Sequence, residues 1–485
     1  MLAQLFSNTR ASRRRRPART AYQDVENLEV RQMLTSYFVT PSGNDSGPGT
    51  VVNPFATVQH ALNVADEPGD VVSVGAGRYF EKIELPHSGS ADEGFITLIT
   101  ASGAILDGTG VNGENMVLIE NQNHVKVVGF EIVNNSGVTD GSGIRILGAS
   151  HHVELLNNEI HEMRGENAMG ITVYGTEKTA MTDIVIDGNQ IYDSEPAPSE
   201  ALTINGNVTD WVISNNEVHD VNSIGIDAIG GERDIQKSKR KVARNGVISD
   251  NLVYRARSNY EGGYGAGIYV DGGKSIVVER NEVYESDLGI EIGAENRGVK
   301  STNITVRNNL VHNNDKAGIV FGGYAKNTGR VQKSYIHNNT VYNNDTLNEG
   351  VGQLWIQFAN RNYVTNNIFV ASSNDVMMYS EKGTGKNFVS NNVWYTTSGD
   401  AAAEFTYRGT FYDSFSDYQE NSRVGSGSVF GDPAFVNAAA GNFKLTAASV
   451  ARDVGTTADK LFAETDFDQV FRNSASGVDA GAFEF

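Results

Sequence analysis

An asparagine recurs near the end of an apolar run at Asn158, Asn189, Asn216, Asn251, Asn281, Asn309, Asn339, Asn367 and Asn392. Successive gaps run from 25 to 35 residues, the range of solenoid repeats. Two residues after each Asn stands an apolar residue: Ile160, Ile191, Val218, Val253, Val283, Val311, Val341, Phe369 and Trp394. Through Val341 the next position is always His or Tyr: His161, Tyr192, His219, Tyr254, Tyr284, His312 and Tyr342. This shared register predicts coils stacked directly on one another, with an Asn ladder and a His/Tyr ladder along the stack. Each ladder Asn is expected to adopt the left-handed conformation needed at a tight bend between strands.

A second strand per repeat opens after a Gly or Ala: "GITVYG" (Gly170–Gly175), "ALTING" (Ala201–Gly206), "GIDAIG" (Gly225–Gly230), "GIYVDG" (Gly267–Gly272), "GIEIG" (Gly289–Gly293) and "GIVFG" (Gly318–Gly322). Each alternates apolar and non-apolar residues, as a half-buried strand does. No helical period crosses this region. One coil cannot bury its apolar face alone, but a stack can. The expected fold is therefore all-β, a right-handed parallel β-helix. With 52 Gly, 9 Pro and no Cys, the composition suits short strands and tight turns and excludes disulfides and thiolate metal sites. The net charge of −20 disfavours nucleic-acid binding, and no apolar run is long enough to span a membrane.

The resemblance to a known family rests on the two ends. The entry segment carries a Ser-Gly-Asn-Asp turn (Ser42–Asp45), a Pro54-Phe55 step, a short helix around Thr57–Ala65, Pro68-Gly69-Asp70 leading into a strand, and Gly77-Arg78-Tyr79. The tail carries "GDPAFVN" (Gly431–Asn437) and "VDAGAFEF" (Val478–Phe485). Both resemble bacterial right-handed β-helix proteins of the pectate-lyase-like superfamily, over about Tyr37 to Phe485. The resemblance implies a short N-terminal capping helix, a β-helix over 36–395 and a β-rich closing segment over 396–485. Before it, Arg13–Arg16 with Arg10 and Arg19 form an Arg-rich segment. Leu28, Glu29, Arg31 and Leu34 resemble the Leu-Glu-x-Arg-x-x-Leu segment that precedes the mature part of many secreted bacterial proteins. That implies export to the medium or the cell surface, with residues 1–35 disordered or removed.

Aligning the second strands on their opening residue yields two outward columns. Two residues on stand Thr172, Thr203, Asp227, Tyr269, Glu291 and Val320; four residues on stand Tyr174, Asn205, Ile229, Asp271, Gly293 and Gly322. The outer coils are neutral, whereas the middle ones gather Asp227, Asp271 and Glu291 around Tyr269. Neighbouring strands lie about 4.8 Å apart, so Asp271 and Glu291 are expected within roughly 5–8 Å of each other. Adjacent carboxylates repel unless a cation, a shared proton or a substrate uses them. The competing reading is a solvated acidic strip. Tyr269-Val270-Asp271 and Glu291 also resemble the acidic pair of the β-helical β-xylosidase family, which implies Asp271 as nucleophile and Glu291 as acid/base.

Three functions follow as expectations. The first is a glycoside hydrolase acting on a polysaccharide or oligosaccharide through Asp271 and Glu291, with Asp227 adding to their field, Tyr269 positioning the sugar, and no cofactor. The second is a pectate-lyase-like polysaccharide lyase. There Asp227, Asp271, Glu291 and Glu295 offer hard oxygen ligands to Ca²⁺, and Lys274 and Arg297 stand beside them. The third is a surface protein that binds glycan without turnover. Lys274, Glu295 and Arg297 are the expected substrate contacts, and the chain is expected to be monomeric. The basic insertion Glu232–Arg244 is either a solvated loop or part of the lyase surface. His161, His219 and His312 belong to the packing ladder, and His151-His152 is a turn pair without a visible partner.

Overall fold

The computed structural model describes residues 35–485, apart from 102, 261, 459 and 474–476. The Arg-rich segment and its Leu-Glu-x-Arg run lie outside the described residues. Three 13-stranded sheets run the length of the molecule. One representative coil visits them in turn through Met181–Asp187, Gln190–Ser194 and Glu200–Gly206. Each strand pairs in parallel with its counterpart one coil away, as in Ile191↔Val218 and Val218↔Val253. Parallel pairing reaches Val429–Phe430, which lies beside Val393–Tyr395. The inward residues of all three sheets meet in one apolar core, with Ile204, Ala228, Val270, Ile292 and Phe321 fully buried beneath the third sheet.

Helix α1 spans Val58–Val64. Thr57 accepts the His60 backbone N–H, and the Glu81 carboxylate accepts those of Val58 and Gln59, so three of the first-turn donors that a helix leaves unpaired find acceptors. Val58, Ala61 and Leu62 form its buried stripe. A second helix, α2, spans Phe415–Asn421. No described helix is long and apolar enough to cross a membrane.

The asparagine ladder is present from Asn158 to Asn392. Each rung up to Asn367 donates its backbone N–H and its Nδ2 to the Oδ1 of the next Asn, as Asn281 does to Asn309 at 3.0 Å in both bonds, and Asn392 ends the ladder by donating its N–H to Ser428 Oγ. The conformational expectation needs correction. The left-handed residue is the one before each rung: Asn157, Asn215, Asp250, Arg280, Asn308, Asn338, Asn366 and Asn391, with Gly188 in the same place. The bend thus falls one residue early, which turns the ladder Asn inward, where its amide serves the backbone of two coils. The aromatic ladder is unbroken from His161 to His312, with centroids 4.6–5.1 Å apart and planes within 8°. Phe443 of the C-terminal segment then lies against both His312 and Tyr342.

Candidate functional site

The third sheet sets the site. Thr172, Thr203, Asp227, Tyr269, Glu291 and Val320 pair in one continuous column. The column continues to Trp355. Asp271 pairs with Gly293, which pairs with Gly322. The columns expected from alternation are therefore real. Gly293 matters because a Cβ there would lie 2.3 Å from the Tyr269 hydroxyl. The missing side chain lets the Tyr269 ring cross the neighbouring coil and donate to Glu295 Oε1 at 3.3 Å. Around Tyr269, the apolar side chains of Ala266, Leu288, Ala317 and Val320 form a small cluster on the outer face of the sheet.

Over this floor lies a cavity of about 500 Å³, lined by Tyr269, Glu291 and Glu295, by the loop residues Tyr260 and Tyr264, and by Tyr324, Trp355 and Gln357. Tyr264 and Tyr324 are exposed; the Lys316 ammonium covers one face of the Tyr264 ring, 4.0 Å from its centroid. No Lys or Arg is among the lining residues described. Asp227 and Asp271 do not line the cavity and are buried, at 1% and 4% exposure. Asp271 Oδ1 accepts the Glu295 backbone N–H at 2.8 Å, and its own N–H points at Asp227 Oδ1 at 3.4 Å. Asp271 thereby fixes the turn that carries Glu295.

Electrostatics make this cluster a store of protons. Burial, reinforced by Glu295, pushes the half-buried Glu291 carboxyl up to about 8. Burial and the neighbouring acids also raise Asp227 and Asp271 well above the ordinary carboxylate range. Two acids missed in the sequence reading stand beside them. Glu200 is pushed up to about 8 by burial and Glu232, while Glu232 accepts from Asn205 Nδ2 at 2.6 Å. Glu200 was within reach of the alignment, because it pairs with Ile224 at the mouth of the same sheet. Trp355 was hidden because "GQLWIQ" lacks the Gly-Ile opening. The loop tyrosines follow no period.

Lys274 and Arg297 do not reach the cavity. Lys274 lies in the bridge Arg244–Lys274–Thr302, at the corner leading to the first sheet. The Arg297 carbonyl accepts from Lys239, in the basic insertion. That insertion folds over the same corner, with Gln236 and Lys241 donating to carbonyls of Gly175–Lys178. Among the described residues, no three of the carboxylates Asp227, Asp271, Glu291 and Glu295 bring oxygens within 4.8 Å of one another; the one group of metal-ligating side chains that meets this spacing is His124, His151 and His152.

Residues 115–369 match the family described as the right handed beta helix region. The chain belongs to this right-handed β-helix family. Its relative in Bacillus subtilis (strain 168), the uncharacterized protein YwoF, is 33% identical over 439 residues, covering 86% of this chain and 92% of that protein. Three solved β-helices share the fold. The lacto-N-biosidase of Eubacterium ramulus superposes with a TM-score of 0.52 at 14% identity, over 75% of this chain and 64% of that one. XylC in complex with xylose gives 0.52 at 12%, over 93% and 98%. Pectate lyase Pel9A gives 0.50 at 13%, over 93% and 96%. At such identities the likeness concerns the fold alone, and β-helices host several reactions on one scaffold.

Proposed function

We propose that the protein is a glycan-active enzyme, a glycoside hydrolase whose active site is the cavity on the third sheet. The observation that carries this reading is Glu291: a half-buried carboxyl raised to about 8, facing an aromatic-walled cavity with Glu295 on the same wall. A glycosidase needs one carboxyl that keeps its proton for the leaving oxygen and one that is ionised to attack or to activate water. Glu291 fits the first role at neutral pH. Two groups stand for the second. Asp271 is the one implied by the β-xylosidase resemblance, but burial and the neighbouring Glu295 raise its carboxyl and oppose the ionised form. Glu295 has the better access, since it lines the cavity while Asp271 lies behind it. The tyrosines and Trp355 offer broad, rigid faces for a sugar ring, with Tyr269 as a hydrogen-bonding handle.

The charge of the walls favours neutral sugars at the point of cleavage. Uronates would face carboxylates without a lining Lys or Arg to offset them. Lys274 and Arg297, offered above as substrate contacts, would act only on portions of a long glycan outside the cavity. The acidic surface and the export-like N-terminal segment support a secreted or surface-bound monomer.

Purified protein incubated with neutral and uronate-containing polysaccharides, with and without chelator, tests the reading. New reducing ends without an unsaturated product are expected, and chelator should not change them. An unsaturated product would replace hydrolysis by a lyase reaction, with Ca²⁺ implicated if chelator stops it. Binding without either product would make the protein a glycan binder.

A further inference from the structure

A second cluster of reactive side chains sits on the first sheet, away from the carboxylates. His151 and His152 open the strand His151–Leu156, and His124 lies in Asn123–Val128. The pairs His151↔Asn123 and Val153↔Val125 set His152 directly beside His124, one coil away. On the other flank, His151↔Thr182 and Val153↔Ile184 set Asp183 beside His152. His124, His152 and Asp183 all have left-handed backbones, with φ of 54°, 52° and 56°, so their side chains project from one column of the bend.

The rings do not pack like the His/Tyr ladder. His124 and His152 stack at 4.4 Å and 15°, but His151 stands across His152 at 79° and across His124 at 87°. His151 Nδ1 faces His152 Nδ1 at 3.0 Å. Two facing ring nitrogens can share only one proton, so one of them is a lone pair pointing at the other residue. One nitrogen from each of the three histidines falls within 4.8 Å of the others. The Asp183 carboxylate approaches His152 Nδ1 at 3.8 Å.

We propose that His124, His151 and His152, with Asp183 as fourth ligand, bind a divalent transition-metal ion of the zinc class and tie three successive coils together. Imidazole suits Zn²⁺, Cu²⁺ and Ni²⁺, whereas Ca²⁺ and Mg²⁺ prefer all-oxygen sets. Tetrahedral zinc with Zn–N of about 2.0–2.1 Å needs ligand nitrogens about 3.4 Å apart. The His151–His152 pair is already near that spacing; to join it, His124 must turn out of its stack on His152, so that the in-plane lone pairs of both rings converge on one ion. His152 and Asp183 are partly exposed, at 44% and 52% of their side chains, so an ion enters from solvent. The cluster was illegible in sequence because His124 and Asp183 stand about 30 residues to either side of the His151-His152 pair, each one coil away.

Calorimetric titration of the full chain with Zn²⁺ tests this, using protein without a histidine tag and stripped by chelator. One ion per chain and a higher melting temperature are expected. Outer partners of a metal site contribute about 10–100-fold in affinity, so losing a direct ligand should cost at least about a hundredfold. His152→Asn keeps a residue that accepts the left-handed bend; His151→Ala, at a position without that constraint, provides a second variant. Both should lose binding, Asp183→Asn should weaken it, and His161→Asn, in the aromatic ladder, should not change it. No saturable Zn²⁺ binding by the full chain, equal binding by His151→Ala and His152→Asn, or a preference for Ca²⁺ would each overturn the proposal.

Discussion

Burial, with Glu295 beside it, makes the Glu291 proton harder to lose, and this behaviour can be tested without knowing the substrate. When folded, it keeps its proton up to about 8; when unfolded, it loses it near 4.5. Between those values the folded state binds more protons than the unfolded one, so stability falls as pH rises. The contribution is complete below 4.5 and is lost as pH passes about 8. Glu200 follows the same sign over the same window. The melting temperature of Glu291→Gln relative to the wild type should therefore climb between pH 4.5 and 8, and a flat difference would refute the shift. On a confirmed substrate, turnover should fall as pH rises through about 8, because the acid is then ionised. Glu291→Gln should reduce turnover at least about a hundredfold, at the lower end of general acid–base contributions. Comparing Asp271→Asn with Glu295→Gln assigns the ionised partner, since removing the true one should cost as much. If all three variants keep full activity, the carboxylate mechanism fails.

The strands and corners that carry these residues are held by buried amide ladders. Asn281 Oδ1 accepts both the backbone N–H and the Nδ2 of Asn251, and Asn281 Nδ2 donates to the Ile248 carbonyl at 3.0 Å. Asn281→Ala would orphan the buried donors of Asn251 and the carbonyl of Ile248, all on the preceding coil. At roughly 1–3 kcal/mol for each unsatisfied buried group, a visible drop in the urea midpoint is expected; an unchanged midpoint would mean that water replaces the amide. This ladder was legible because it repeats many times in one register. Two shorter ladders were not: Asn314–Asn344–Gln353 and Ser334–Asn362–Asn387 have too few rungs to reveal a period, and one ends in a different residue type. The site divides the same way. Asp227, Tyr269 and Glu291 could be read because alternation fixes which face a strand residue takes. Tyr264 and Tyr324 could not, because loops between coils vary in length and carry no period. The burial that separates Asp271 from the cavity depends on the Tyr269 ring lying over Gly293, a packing detail that alternation does not encode.

At the scale of the molecule, the chain beyond Phe430 runs back along the solenoid instead of only closing its end. Three left-handed corner residues hold it: Asn308 Nδ2 donates to the Thr465 carbonyl, Asn338 to that of Asp479, and Asn366 to those of Thr456 and Leu461. Arg472 is the anchor. It is 5% exposed and donates to Glu484, to the carbonyls of Asp479 and Gly481, and to Asn308 Oδ1. Removing one partner of a buried ion pair typically costs about 3–5 kcal/mol, because the other charge is left without compensation. A solenoid communicates mainly between neighbouring coils, so Arg472→Ala should release the segment locally while the stack stays folded. Limited proteolysis should then cleave first beyond Phe430 and leave the body of the solenoid protected. The cavity is built on the third sheet, and the segment grips the corner and the second sheet, so turnover should survive the release. Cooperative loss of the whole fold in Arg472→Ala would instead mean that the returning segment is part of the solenoid's own folding unit.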